Sequence, residues 1–427
     1  MIMPASVSNL RAQFMVFSLA VAVLATTAFA ANERVLYPFT GANDGGDPAS
    51  ALTFDAAGNA YGTTVVGGDF GFGTVFKLTR DQNGNWTETV LYSFQAGDDG
   101  KNPYGGVILD RAGNLYGVTA AGGNGGFCTG DGCGTIFKLT RSGDTYTESV
   151  VYAFTGGNDG FGPGAALAQD RNGVMYGMTP DGGEFAAGTV FELIPNGNGG
   201  YLFRTIHSFT GGDDGAIGSL GPLLVDSNGN LYGVTELGGA NGVGTVFKMT
   251  PATAMGGGPF NFTTLYPFQG IPDAAFPYGG VILDQSGNLY GTTYFGGQNG
   301  VGAVYKLTPD RQESVLYSFQ GGTDGSFPTT TLIFDGSGNL WGTTSTGGDP
   351  GCDCGTVFEL SPVNGQWQES IAHIFESVPD GANPYYGLTL DNAGNLYGTT
   401  ATGGTLNQGT VFEIMPANRL IRFRTSR

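Results

Sequence analysis

The sequence predicts an all-β protein folded as a seven-bladed β-propeller of four-stranded blades. Seven near-copies of one unit fill the chain, and each copy offers four short strand-like runs bounded by turn residues. No segment shows a sustained helical period. The composition agrees, because 78 glycines stand beside 30 phenylalanines and 19 tyrosines. This mixture is typical of many tight turns around a large core.

The repeated unit contains three blocks, of which the first is the most regular. It reads DAAGNAYGTT (55–64), DRAGNLYGVT (110–119), DRNGVMYGMT (170–179), DSNGNLYGVT (226–235), DQSGNLYGTT (284–293), DGSGNLWGTT (335–344) and DNAGNLYGTT (391–400). The copies stand 51 to 60 residues apart, and the aromatic always follows the aspartate by six residues. A GTVF-type block and a VLYSF-type block complete each unit. A parallel β-solenoid is the main competitor, but its coils are usually shorter and need no hairpin turns such as 83–85.

The DxxGN segment is expected to be a tight turn between two strands. In DRAGNLYGVT, the Asp110 side chain can bond the backbone two residues on, Gly113 supplies a positive φ, and Asn114 tolerates the exit. We label the strand before this turn A and the strand after it B, with GTVF-type runs as C and VLYSF-type runs as D. Strand A is rich in small and branched residues, which suit the crowded axis, and strand D is outermost. Gly113→Val should therefore damage folding rather than binding, and Tyr116 should pack between blades.

The ends of the chain predict export and ring closure. Residues 1–30 read as a secretory signal peptide, with Arg11, an apolar run and cleavage near Ala30. Residues 31–416 form one propeller, and 417–427 form a C-terminal tail. The chain then begins on a D strand, 33–39, so this N-terminal strand should complete the seventh blade and close the ring. The run RLIRFR (419–424) could compete for the same position or lie alongside it.

The net charge of the chain limits the classes of partner that it can bind. The formal net charge is −19 and the pI is about 4.2. A field of that sign repels phosphate backbones and anionic lipids, so we expect no nucleic-acid partner and no membrane insertion. The acidic balance suits solubility outside the cell. We expect a secreted, periplasmic or cell-surface monomer.

The four cysteines predict two local disulfides. The B-to-C loop has one fixed length in five units and is longer in the second and sixth, which hold all the cysteines. Cys128 should pair with Cys133, while the small ring of Cys352 and Cys354 makes their pairing less certain. The distance between the two blades excludes a shared zinc site. His207 and His373 each replace the tyrosine of a D strand, so both are expected to be structural.

The D-to-A and B-to-C loops should emerge on one face, where any function would lie. Each D-to-A loop carries an aspartate: Asp44, Asp99, Asp159, Asp214, Asp273, Asp324 and Asp380. These carboxylates either cap their own turns or form an acidic rim around the axial channel that holds a cation, with Ca²⁺ as the candidate. No other cofactor is expected. Tyr104, Tyr278 and Tyr385 add aromatic surface that suits carbohydrate, although some of these rings could simply fill gaps between blades.

The combined blocks DxxGNLYGTTxxGG, GTVFKL and VLYSF closely resemble the Gloeo/Verruco ("GloVer") tandem repeat of exported bacterial proteins. The resemblance covers residues 34 to 415. It implies a propeller-like fold and no defined molecular function. Many members carry a C-terminal surface anchor, whereas this chain ends in MPANRLIRFRTSR. We therefore expect release or periplasmic residence.

Two functions fit the sequence. The first is a non-catalytic binding or surface-interaction module for carbohydrate or a protein partner. The second is a polysaccharide lyase or glycosidase that uses Asp and Tyr of the same face. An enzyme needs one blade to supply a unique constellation. Apart from the cysteine loops, the available departures are Lys101, Glu184 and Glu236, which form no obvious set. Binding is therefore favoured.

Overall fold

The computed structural model describes residues 31–416 apart from 124–125, 129 and 253–257. The predicted signal peptide, the tail 417–427 and the run 419–424 lie outside the described residues. Within them the protein is an all-β propeller of seven four-stranded blades, as the repeats predict. No helix in this part of the chain is long and apolar enough to cross a membrane.

The first strand, β1 (Asn32–Pro38), precedes the blades. Blade 1 contains β2 (Gly46–Pro48), β3 (Thr53–Phe54), β4 (Ala60–Val66), β5 (Thr74–Arg80) and β6 (Trp86–Ser93). Blade 2 contains β7 (Val107–Leu109), β8 (Leu115–Thr119), β9 (Thr135–Ser142) and β10 (Thr145–Ala153). Blade 3 contains β11 (Ala168–Gln169), β12 (Met175–Thr179), β13 (Thr189–Pro195) and β14 (Tyr201–Ser208). Blade 4 contains β15 (Ala216–Gly218), β16 (Leu224–Val225), β17 (Leu231–Leu237), β18 (Thr245–Pro251) and β19 (Phe260–Pro267).

Blade 5 contains β20 (Ala274–Ala275), β21 (Ile282–Leu283), β22 (Leu289–Thr293), β23 (Phe295–Gly296), β24 (Ala303–Leu307) and β25 (Glu313–Ser318). The short 3₁₀ helix η1 (Gly322–Asp324) follows. Blade 6 contains β26 (Ile333–Phe334), β27 (Leu340–Thr344), β28 (Thr356–Val363) and β29 (Gln366–Ile374). Blade 7 contains β30 (Thr389–Leu390), β31 (Leu396–Thr400) and β32 (Thr410–Met415).

Strands A to D of each blade pair antiparallel in sequence order. In blade 7 the D position is occupied by β1, which pairs with β32 from Asn32 opposite Met415 to Pro38 opposite Thr410. One sheet therefore combines strands from the two ends of the described chain. Blade 7 also contacts blade 1 near the axis, where the Thr389 hydroxyl donates to the Leu52 carbonyl at 2.7 Å.

The A strands are shorter than the four to seven residues that the apolar runs suggest, since each has only two or three residues. The reason is crowding at the axis. A Cβ added at Gly105 would stand 2.6 Å from the Ala165 backbone of the next blade. The segments leading into the A strands thus pack backbone against backbone, which leaves them little room to pair within their own sheets.

The core consists of seven separate apolar clusters, each shared by two neighbouring blades. Between blades 1 and 2, for example, Tyr61 and Phe94 pack with Val107, Leu115 and Phe137. Each blade buries side chains on both faces of its sheet, because it takes part in two clusters. A single repeat cannot form a core alone, and it becomes stable by burying its apolar side chains against the neighbouring repeats.

Candidate functional site

The DxxGN turns are structural on the evidence of their hydrogen bonds. Asp110 Oδ1 accepts from the backbone N–H of Ala112 at 2.8 Å and of Asn114 at 2.9 Å, and Oδ2 accepts from the Asn114 amide at 2.8 Å and the Tyr116 hydroxyl at 3.2 Å. Burial alone would raise the pKa of Asp110, but these bonds to the charged carboxylate outweigh it and lower the pKa. Gly113 has φ 84°, as the turn requires. The turn residues are therefore occupied with holding strands A and B together.

The opposite face is built from the D-to-A and B-to-C loops of each blade, as expected. In blade 2 the N–H of Gly123, in the B-to-C loop, donates to the Gly97 carbonyl of the D-to-A loop at 2.9 Å. The equivalent bonds in the other blades start from Gly68, Gly183, Gly239, Gly297, Gly348 and Gly404. The two loops of a blade thus form one unit. We call the surface made by these loops the loop face.

Each of the seven D-to-A aspartates is bonded to the outer strand that precedes it. The Tyr or His two residues before the phenylalanine that ends each VLYSF-type block contacts the carboxylate at 2.6 to 3.1 Å. The pairs are Tyr37–Asp44, Tyr92–Asp99, Tyr152–Asp159, His207–Asp214, Tyr266–Asp273, Tyr317–Asp324 and His373–Asp380. A backbone N–H four residues before each aspartate donates to the same carboxylate. Each aspartate therefore caps its own turn.

This arrangement places the aspartates away from the axial channel, where the rim interpretation located them. They follow strand D by only a few residues, and strand D is the outermost strand, so they are tied to the periphery before the chain crosses to the axis. The described residues that line the axial cavity include none of the seven. Nor does any group of three or more His, Cys, Asp or Glu side chains in the described ranges have an arrangement that could hold a metal ion. Binding of Ca²⁺ stays a prediction.

The two histidines occupy the structural position that the repeat gives to tyrosine. His207 Nε2 lies 3.1 Å from Asp214, and His373 Nε2 lies 2.9 Å from Asp380. Burial lowers the pKa of His207, although Asp214 opposes this effect.

Both predicted disulfides are present, one in each longer B-to-C loop. The Cα–Cα distance is 5.4 Å for Cys128–Cys133 and 5.2 Å for Cys352–Cys354. The first lies against Gly156, where an added Cβ would stand 2.7 Å from Cys128 Sγ. These bonds fix the loop face of blades 2 and 6.

A cavity of about 530 Å³ lies at the axis of the ring. Every blade contributes to it through the segment that leads into its A strand. Its aromatic lining consists of Tyr104, Tyr278, Tyr294, Tyr385 and Tyr386. Ser50 and the threonines 329–331 add hydroxyl groups to the wall. Tyr104, Tyr278 and Tyr385, which the sequence singled out, thus come together at one cavity.

The cavity is not symmetric, because blades 5 and 6 place a cluster of aromatic rings on one side. The Tyr294 ring lies 5.1 Å from that of Tyr278 and stacks on Phe327 at 4.8 Å. Phe295 lies 5.6 Å from Phe276. We call these five residues the aromatic cluster. Phe276 and Phe327 have φ of 56° and 55°, the left-handed conformation that the equivalent residue of every other blade also adopts, so this conformation belongs to the repeat.

Sequence reasoning missed most of the aromatic cluster. Tyr294 and Phe295 stand where other repeats carry small, polar or aliphatic residues, as in TAAGG (119–123). The signal was therefore available as the departure TYFGG (293–297) from the repeat. The sequence did not indicate that these aromatic residues lie close together, because Tyr104 and Tyr385 come from blades far apart along the chain.

Two carboxylates adjoin the tyrosines. The Tyr278 hydroxyl is hydrogen-bonded to Glu236, and burial together with this bond raises the tyrosine pKa. Burial also raises the pKa of Asp47, whose charge acts on Tyr104 and Tyr385. The tyrosines thus keep their protons and offer neutral hydroxyl groups. Asp47 was not among the sequence candidates, whereas Glu236 was noted as a departure.

The loop face also concentrates exposed apolar side chains. Among the residues that the structure describes, fourteen large hydrophobic residues are exposed, and nine of them lie in the D-to-A or B-to-C segments. They are Phe70, Phe127, Phe185, Leu220, Ile271, Phe295, Val378, Tyr385 and Leu406. These side chains are spread over six blades, and singly scattered hydrophobic residues are ordinary on a protein surface.

Comparison with solved structures supports the fold alone. The extracellular domain of a protein described as a hybrid two-component system of B. thetaiotaomicron matches with a TM-score of 0.56 and 11% identity, over 89% of this chain and 39% of that chain. The chain thus spans about two fifths of that protein's length. A Trichoderma reesei carbohydrate-active enzyme of family AA12 matches with a TM-score of 0.44 and 12% identity, over 91% of this chain and 96% of that one.

A search among curated proteins finds no match. The model of the Gloeobacter/Verrucomicrobia repeat, however, matches residues 16–219, 128–256 and 219–426. These segments together cover nearly the whole sequence and agree with the resemblance carried by the repeated blocks. The chain belongs to the Gloeobacter/Verrucomicrobia repeat family.

Proposed function

We propose that the protein is an exported, non-catalytic binding module that takes a carbohydrate at the axial cavity of its loop face. The observation that carries the proposal is the set of five tyrosines lining one cavity together with serine and threonine hydroxyls. Sugar C–H groups pack on aromatic faces, while sugar hydroxyls exchange hydrogen bonds with neutral hydroxyl and carboxylate groups. Asp47 and Glu236 are the nearby carboxylates that could accept such bonds.

Export fits this role. The two disulfides need an oxidising compartment, and the residues before Ala31 have the pattern of a secretory signal peptide. We propose that the mature protein works outside the cytoplasm as a monomer. A polysaccharide outside the cytoplasm would have access to the cavity there.

Binding is favoured over catalysis by the shape of the site. The aromatic cluster is asymmetric, as a specific ligand needs, but Glu236 is already bonded to Tyr278, which leaves Asp47 alone rather than in the carboxylate pair that glycoside hydrolysis uses. A protein partner is a weaker proposal, since the tyrosines line a cavity rather than a flat patch.

The test is a glycan array with the secreted protein, followed by calorimetry on any glycan that binds. We expect Tyr278→Ala and Tyr385→Ala each to weaken binding by about tenfold or more, since each removes about 1.4 kcal/mol or more of contact free energy. Phe185→Ala is the matched control, because Phe185 is 53% exposed on the loop face but does not line the cavity. Equal losses in all three variants would contradict the axial site.

The same samples test the enzyme alternative. Shorter products released from the bound polysaccharide would identify a lyase or glycosidase, and their loss in Asp47→Asn would place the chemistry at the cavity. An unchanged polysaccharide that remains bound supports a binding module. A repeat in the presence of a chelator tests Ca²⁺, whose removal is expected to leave binding unchanged.

A further inference from the structure

Five of the seven D strands carry a glutamate six residues before their final phenylalanine. These are Glu33, Glu88, Glu148, Glu313 and Glu369. Each side chain is partly buried, and its Oε1 atom is hidden from solvent without a hydrogen-bond partner among the described residues. A buried carboxylate oxygen without a donor is unfavourable, because it has lost its hydrogen bonds to water. The same unpaired oxygen atom recurs in five blades of one ring, and this recurrence requires an explanation.

The two exceptional repeats show what this position contacts. Blades 3 and 4 have Phe203 and Phe262 in place of the glutamate. Phe203 stacks on Tyr152 of the preceding blade at 3.8 Å, and Phe262 stacks on His207 of the preceding blade at 4.1 Å. Tyr152 and His207 are the residues that bond the D-to-A aspartates. The position therefore lies across the seam between two outer strands, beside the capping aspartate.

The glutamates consequently face carboxylates. The aspartate that follows the preceding D strand raises the pKa of each glutamate: Asp380 acts on Glu33, Asp44 on Glu88, Asp99 on Glu148, Asp273 on Glu313 and Asp324 on Glu369. Glu313 and Asp273 are within hydrogen-bond reach of each other. Asp273 Oδ1 is also buried without a donor. Two adjacent acceptor oxygens that both lack a donor are satisfied together by one proton.

The other groups around these pairs do not supply a counter-charge in most seams. Tyr37, Tyr92, Tyr266 and Tyr317 of the preceding blades face Glu88, Glu148, Glu313 and Glu369. Tyr305 of the adjacent C strand also faces Glu313. All of these tyrosines have a raised pKa, chiefly because of burial, and are neutral. Only Glu33 has a basic neighbour, His373.

We propose that five seams of the ring are closed by acid–carboxylate pairs like Glu313–Asp273, in which the protonated D-strand glutamate donates one hydrogen bond to the capping aspartate of the preceding blade. We call each such pair a proton clasp. A clasp holds neighbouring blades together while the glutamate keeps its proton. Loss of the proton leaves two negative charges side by side and loosens the seam.

The direction of the pH dependence follows from the carboxyl groups. Burial is the main cause of the raised pKa of these glutamates, and the neighbouring aspartate raises it further. The pKa is about 7 for Glu88 and Glu148 and about 8 for Glu313 and Glu369. For Glu33 burial raises the pKa to about 7, against the opposing effect of His373. Folded protein thus binds more protons than unfolded protein between about pH 4.5 and pH 8. Stability contributed by the clasps is complete below this window and is lost as pH rises through it.

The direct test is carbon-13 NMR of protein labelled at the glutamate carboxyl carbons. We expect seven of the eleven glutamate signals to titrate above the ordinary value: the five clasp glutamates, and Glu192 and Glu359, whose pKa burial also raises. Each Glu→Gln variant of a clasp should remove one of its five signals. All eleven titrating near the ordinary value, or no loss of a high-titrating signal in the five clasp variants, would overturn the proposal. The titration of the wild-type signals needs no variant to be stable.

A stability test uses Glu313→Gln and Glu369→Gln. Glutamine is neutral at every pH and can donate its amide hydrogen to the aspartate. We expect the melting temperature of the wild type to fall between about pH 5 and pH 8.5, and the variants to fall less. Glu184→Gln, in an exposed B-to-C loop, is the matched control and should follow the wild type. A wild-type melting temperature that is flat or rises over this range would contradict the clasps.

Discussion

At the residue scale, the repeated turn depends on backbone conformation rather than on space. In DGSGN (335–339), Gly338 has φ 84°, and an added Cβ there would meet nothing within 4 Å. Gly336, two residues earlier, is equally open but does not need a positive φ. The two glycines differ only in the conformation that the turn imposes. They therefore form a matched pair for testing why the motif requires glycine at its fourth position.

We expect Gly338→Val to lower the free energy of unfolding by about 1–2 kcal/mol or more, because a β-branched residue is disfavoured in the left-handed region. Gly336→Val should change it by less than about 0.5 kcal/mol, as an exposed substitution does. Urea unfolding measures both values. Glycan binding by folded Gly338→Val should be unchanged, since the turn lies on the face opposite the cavity. Equal stability of the two variants would mean that the glycine has another purpose.

At the scale of the element, the glycine after the aromatic of strand B makes room for a ring from strand C. A Cβ added at Gly177 would stand 2.4 Å from Phe191, and its three nearest neighbours all belong to that ring. Phe191 is fully buried in the blade. The pairing of Gly177 opposite Phe191 in the sheet explains the contact. The YG dipeptide and the GTVF block are thus two halves of one packing unit.

Gly177→Ala should therefore destabilise the protein by about 1–3 kcal/mol through overpacking. Phe191→Leu alone should also destabilise, because it leaves a cavity. The double variant is expected to be more stable than the sum of the two losses predicts, since the smaller leucine leaves room for the added methyl group. A double-mutant cycle from denaturant unfolding measures this coupling. Strict additivity would show that the ring and the glycine do not share one space.

At the scale of the whole molecule, blade 7 depends on a strand from the other end of the described chain. Strand β1 pairs along β32, where Val411, Phe412 and Ile414 are completely buried. Without β1, the backbone of β32 would present an unpaired edge that can recruit another chain. Leu36 and Phe39 of the same N-terminal segment also fill the cluster between blades 7 and 1.

Removal of residues 31–39 should lower the melting temperature and cause self-association, which light scattering detects. A synthetic peptide ANERVLYPFT (31–40) added in excess should restore the monomer by supplying the missing strand. The same peptide with Val35→Pro is the control, because proline cannot donate to the ladder. Restoration by both peptides, or by neither, would contradict strand pairing as the source of the stability.

The repeats predicted the architecture because each block specifies its own strand or turn through residues that are close together in the sequence. Aspartate, glycine and asparagine at fixed offsets specify a hairpin, and seven such hairpins with two further strands each specify a propeller. The two cysteine pairs were equally local. The axial site was less predictable: Tyr104, Tyr278 and Tyr385 were identified, but Asp47 and Tyr294 were not, because nothing in one repeat indicates which residues of the other six stand beside it.

The sequence by itself therefore determined the all-β repeat fold, the turns and both disulfides, since all of these depend on residues close together in the chain. The tertiary structure decided the rest. It placed the seven loop aspartates against the outer strands instead of the axis, because hydrogen bonds to Tyr or His hold them there. It brought tyrosines from three blades to one cavity and glutamates near aspartates at five seams. Contacts between blades join residues about one repeat or more apart, and only ring geometry defines them.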